Sequence, residues 1–68
     1  MELEAVWLKD GKEIFCVDPV IELTHNGNGI EGIEVSNGYA WYTAVDCKVL
    51  SGEKPNGFLV RERSENGK

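Results

Sequence analysis

Residues 30–49 read IEGIEVSNGYAWYTAVDCKV, and how this stretch folds back on itself decides the architecture. Ser36-Asn37-Gly38 is a turn signal between two runs rich in β-branched and aromatic residues, so the stretch reads as one β-hairpin. Two registers compete. A two-residue loop of Asn37 and Gly38 sets Val35 opposite Ala40 and Ile33 opposite Tyr42. A three-residue loop with Gly38 in the left-handed region sets Val35 opposite Tyr39 and Ile33 opposite Trp41. Because side chains alternate along a strand, the second register collects Ile33, Val35, Tyr39, Trp41, Val45, Cys47 and Val49 on one face, and it is the one adopted.

The other face of that ribbon then carries Glu34, Ala40, Tyr42, Ala44, Asp46 and Lys48. It is mostly small or polar, so Tyr42 is expected to stand outward while Trp41, with Trp7, is sunk in the core. Ile30 and Ile33 break strict alternation across Gly32. A β-bulge at this glycine would return Ile30 to the interior and sharpen the twist, as a small barrel requires.

Working outward, residues 3–8 (LEAVWL) place Leu3, Ala5 and Trp7 on one side of a strand. Lys9-Asp10-Gly11-Lys12 predicts a tight hairpin into residues 13–17. Asp18-Pro19 ends that strand, since proline cannot donate to the ladder and restricts its predecessor. Residues 20–24 form a half-buried third strand, followed by a loop of His25, Asn26, Gly27, Asn28 and Gly29. Beyond a polar loop at residues 51–57, residues 58–63 form a last strand with Phe58 and Val60 facing one way. Residues 64–68 are expected to be a flexible tail. The fold class is therefore all-β: a five- or six-stranded SH3-like barrel, or a strongly bent antiparallel meander, as a single domain over residues 1–63.

A chain of 68 residues with 41% hydrophobic content can bury one compact core. The net charge is −5, and eight acids (Glu2, Glu4, Asp10, Glu13, Asp18, Glu22, Glu31, Glu34) fall among the first 36 residues. An acidic body repels phosphate, which disfavours direct nucleic-acid binding and favours a basic partner. Cys16 and Cys47 lack metal-type spacing, and there is neither a signal-like nor a membrane-spanning apolar run. Reduced thiols in a cytoplasmic, non-membrane protein are the expectation.

Little chemistry is written in the chain. His25 is its single histidine, so a catalytic arrangement would have to combine it with Cys16, Cys47, Asp18 or Asp46, and no nucleophile-elbow context surrounds any of them. Gly27-Asn28-Gly29-Ile30-Glu31-Gly32 matches GxGxxG by letter. It lacks the following α-helix whose amino-terminus would face a pyrophosphate. No enzyme activity, metal or cofactor is expected.

The remaining candidates are surface residues. Outward acids on the third and fourth strands, Glu22 and Glu34, with Glu31 at the bulge and an exposed Tyr42 nearby, form a candidate face for a basic partner. With its EVSNGYAWYTAV hairpin, acidic balance and lack of a catalytic set, the chain resembles the small acidic β-proteins encoded by phages and prophages, a class that includes anti-CRISPR inhibitors. That resemblance implies a non-enzymatic inhibitor, working in the host cytoplasm as a monomer or homodimer, that occludes a basic surface of a protein or nucleoprotein complex. The alternative is a structural assembly component, of a virion or a host complex, acting through sheet-edge or oligomer contacts.

Overall fold

The computed structural model describes residues 2–63; the expected tail at 64–68 lies outside them. Strands β1 (Leu3–Lys9) and β2 (Lys12–Val17) form the predicted hairpin. Lys9 pairs with Lys12 across Asp10 (φ 53°) and Gly11 (φ 83°), the double left-handed turn that an Asp-Gly pair accommodates. The Asp18-Pro19 peptide is cis and β2 ends just before it. Strand β6 (Gly57–Glu62) returns from the far end of the chain to pair antiparallel with β1, giving a sheet of order β2-β1-β6.

A second sheet holds β3 (Glu22–His25), β4 (Ile33–Ser36) and β5 (Trp41–Tyr42) in sequence order. Strands make up 47% of the structure, so the β-rich class holds, but the two sheets stay separate and close no barrel. Nor does the chain run as one continuous meander, because β6 joins β1 and not β5.

The expected hairpin register is also corrected. Val35 pairs with Tyr42 and Ser36 with Trp41, which leaves residues 37–40 as the loop. Asn37 is the cause. Its Oδ1 accepts hydrogen bonds from the N–H groups of Tyr39 (2.9 Å) and Ala40 (3.1 Å), and the Tyr39 N–H is a donor that either expected ladder would use. Gly38 sits at φ 95° with its N–H donating to Ser36 Oγ at 3.0 Å.

The second strand of the expected hairpin then stops after two residues, because a helix begins. Thr43 is its N-cap: Thr43 Oγ1 accepts from the Asp46 N–H at 3.3 Å, and Asp46 Oδ2 accepts from the Thr43 N–H at 2.9 Å. This reciprocal box satisfies two of the donors that a helix start leaves unpaired. Helix α1 (Ala44–Ser51) ends at Gly52, which is left-handed (φ 86°) and donates to the Lys48 carbonyl. Eight residues make a helix that is marginal in isolation, so caps and packing together hold it.

The bulge falls elsewhere than expected. Register slips between Trp7–Phe15 and Leu8–Glu13, leaving Ile14 as the extra residue. Gly32 instead closes a 3-10 turn, η1 (Gly29–Gly32), in which a Cβ at Gly32 would lie 1.8 Å from Asn26 Oδ1. Ile30 nevertheless packs against the core.

That core lies between the inner faces of the two sheets and α1, which packs against β2, β5 and η1. It contains Ala5, Trp7, Val17, Ile33, Val35, Ala44 and Cys47. Trp7 is fully buried, with Phe58 tilted against it at 4.7 Å between ring centroids, and its indole N–H has no hydrogen-bond acceptor among the described residues. Val6 is fully buried but outside this cluster, on the opposite face of β1 with Glu4. Arg61 stands beside Glu4 in register and reaches Glu13 across the sheet.

Candidate docking surface

The acids divide sharply by what they touch. On the outer face of the first sheet, Arg61 bonds Glu4 and holds Glu13 bidentately at 2.7 and 3.2 Å. This hydrogen-bonded pairing holds the Glu13 carboxyl below the usual glutamate range and pushes the Arg61 guanidinium pKa upward. Arg63 bonds Glu2 and reaches Asp18 at 3.2 Å. Asp10 accepts from the Asn56 side-chain amide at 2.8 Å, and Glu31 lies 3.6 Å from Lys54.

Of the eight acids among the first 36 residues, that leaves Glu22 and Glu34, which have no hydrogen-bond or ion-pair partner among the described residues. Both are exposed. Glu22 pairs with Ser36, Glu34 pairs with Thr24, and paired residues share a face. Trp41, the neighbour of Ser36 on its other side, belongs to that same outer face. Glu22, Ser36 and Trp41 therefore form one row across the sheet, and Glu34 sits diagonally from both ends of it, about 7–8 Å away by strand geometry. Ser36 is small and buried between its neighbours, while Trp41 is 45% exposed. Tyr39, at 94% exposure, caps the adjoining loop.

Among the four residues singled out from sequence, the structure thus keeps Glu22 and Glu34 together. The other two go elsewhere. Tyr42 pairs with Val35, whose side chain is fully buried, and turns inward against the Phe15 ring at 5.6 Å. Its expected outward position is taken by Trp41, which sequence reasoning placed in the core. Glu31 lies in η1 and lines a shallow groove of about 500 Å³ with Ala44, Val45, Lys48 and Lys54. Two local signals could have identified Trp41: Asn37 as a side-chain acceptor for its own loop, and Thr43-Ala44-Val45-Asp46 as a capping box.

The groups considered for catalysis lie on different elements with different partners. His25 Nε2–H donates to the Gly29 carbonyl oxygen at 2.9 Å, bracing the loop before η1. The Cys16 thiol is on β2, 3.9 Å from Glu4 Oε1, and desolvation, then the negative charges of Glu4 and Asp18, raise its pKa. Cys47 is buried in α1, 3.7 Å from Ser51 Oγ, and desolvation raises it too. Among the described residues no group of three or more His, Cys, Asp or Glu side chains could hold a metal ion, and no helix is long and apolar enough to cross a membrane. The GxGxxG letters span a loop and the single turn of η1, and β4 follows at once.

An exposed indole on the same sheet face as two carboxylates that have no partner among the described residues suits a cation. A lysine or arginine can lie on the ring face with its charge directed at either acid, a contact contributing about 0.5–2 kcal/mol according to its desolvation. Comparison with protein-family models, with curated proteins and with solved structures finds no match to this chain.

Proposed function

We propose that this chain is a non-enzymatic protein-binding module that docks the outer face of its second sheet, Glu22 and Glu34 around Trp41, on a basic surface of a protein or nucleoprotein complex. The mode of action is occlusion, as in the phage-encoded inhibitors that the sequence resembles. One observation carries this reading: six of the eight amino-proximal acids are paired internally, and the two without partners among the described residues share a sheet face with an exposed tryptophan. Unpaired like charges on neighbouring strands are mildly destabilising; a cationic partner removes that cost. A large aromatic ring beside complementary charge is also the composition of binding hot spots.

Long-range attraction between the acidic body and a basic target speeds encounter and makes it sensitive to salt. The test uses a dye-labelled lysine- and arginine-rich peptide as probe, with binding followed by the fluorescence anisotropy of the label. Glu22→Gln with Glu34→Gln, or Trp41→Ala alone, should weaken binding by roughly tenfold, the equivalent of about 1.4 kcal/mol. Glu53→Gln, in the loop after α1, should leave it unchanged. Equal affinity for all of these variants, or indifference of the wild type to ionic strength, would refute the docking face.

A further inference from the structure

Helix α1 buries small side chains, Ala44 and Cys47, and leaves its larger aliphatic ones exposed. At 3.6 residues per turn, Ala44, Cys47 and Ser51 point into the domain, which leaves Val45 and Val49, one turn apart, at the crest facing away. Their exposures are 71% and 74%, and Leu50 is 61% exposed. A solvated crest would carry charged or amide side chains. Val45 and Val49 are an exposed aliphatic ridge, with Leu50 exposed beyond Asp46, and apolar side chains clustered on a small protein's surface mark contact sites.

We propose that this crest is a self-association surface and that its occupant is a second copy of the same chain. Charge selects that occupant. The chain carries a net −5, so most approaches between two copies are repulsive, but the surroundings of the crest are balanced, with Asp46 and Glu31 against Lys48 and Lys54. Asp46 and Lys48 lie on opposite flanks of the valine ridge. A two-fold axis running along the helices sets Val45 and Val49 each against its own counterpart, and brings Asp46 of each copy to the side of Lys48 on the other. An antiparallel arrangement would put like charges on the same side, so the parallel one is favoured.

The area involved is well below the roughly 1,200 Å² that a stable interface buries. The dimer is therefore weak and reversible, populated only where the protein is concentrated. It leaves Trp41, Glu22 and Glu34 outside the interface residues, so this inference stands or falls separately from the docking face.

Sedimentation equilibrium of the full chain from about 10 μM to about 1 mM tests it, a range that brackets affinities of this strength. The average mass should climb from 7.6 kDa toward twice that value. Val49→Asp should hold it at the single-chain mass at the highest concentration, with an unchanged circular dichroism spectrum. Val45→Ser, a milder change on the same ridge, should shift the midpoint at least severalfold upward in concentration and serves if Val49→Asp does not fold. A constant single-chain mass for the wild type overturns the proposal and leaves the crest to a foreign protein. Wild-type-like association of a folded Val49→Asp, or of Val45→Ser, overturns it equally.

Discussion

Replacing Thr43 by valine separates the two ways residues 39–49 can be read, because the readings give opposite signs. Valine keeps the β-branched shape and loses only the hydroxyl. In a strand that change is neutral or stabilising. In the structure Thr43 Oγ1 accepts from the Asp46 N–H at 3.3 Å and donates to Asp46 Oδ2 at 3.0 Å, so valine removes both bonds and leaves the Asp46 amide at the helix start without its cap. Removing such a cap costs about 0.5–2 kcal/mol. The 3.3 Å separation is long, and Asp46 Oδ2 keeps its bond from the Thr43 N–H, so the expected loss is about 1 kcal/mol. For a domain of this size that corresponds to a fall in Tm of about 4–8 °C. Urea titration, followed by circular dichroism and by tryptophan fluorescence, should show the midpoint falling by about 1 M at an unchanged slope near 1 kcal/mol per M. Asp46→Ala should cost a similar amount, and the double variant should cost much less than the sum, since both substitutions break one reciprocal unit. If Thr43→Val were as stable as the wild type, or more so, the capping argument and the helix it supports would be wrong.

Other substitutions probe separate parts of the structure. Gly32→Ala forces the Asn26 side chain off the position from which its Oδ1 accepts the Asn28 N–H; a loss of about 1–2 kcal/mol in chemical denaturation is expected, and a neutral result would refute the close approach. Because Arg61 holds the Glu13 pKa below its ordinary value, the stabilisation from Glu13 is complete above the unfolded-state pKa of about 4.3 and disappears as pH falls through the lower folded-state value. The stability gap between wild type and Glu13→Gln, measured by urea titration at successive pH values, should therefore be flat from about pH 6 to 8 and narrow on acidification below about pH 4; a gap that widens there contradicts the pairing. With both thiol pKa values raised, iodoacetamide at neutral pH should modify exposed Cys16 more slowly than a model thiol, and buried Cys47 only after unfolding. Mass spectrometry of the alkylated chain would show the order.

How much of this was legible beforehand depends on whether a feature is local. The Asp10-Gly11 hairpin, the break at Asp18-Pro19, the common side of Leu3, Ala5 and Trp7, and the shared direction of Phe58 and Val60 each follow from a few adjacent residues. The structure agrees with them in detail. The exposed acids Glu22 and Glu34 were legible for the same reason, since strand alternation needs no knowledge of distant partners. Trp41 and Tyr42 were assigned to the wrong sides because the register was read from apolar alternation alone.

By itself, then, the sequence determined that this is a β-rich chain with an internally reversed first hairpin, an acidic balance and two outward carboxylates beside an aromatic pair. Only the tertiary structure decided which aromatic faces out. Asn37 ties the Tyr39 and Ala40 N–H groups into the loop and Thr43 starts a helix, so the strand between them has two residues, and the ring that faces inward packs against Phe15. The packing of that ring depends on β2 and α1 meeting in space; within residues 30–49 only Asn37 and the Thr43–Asp46 box hint at it, by marking where the strand stops.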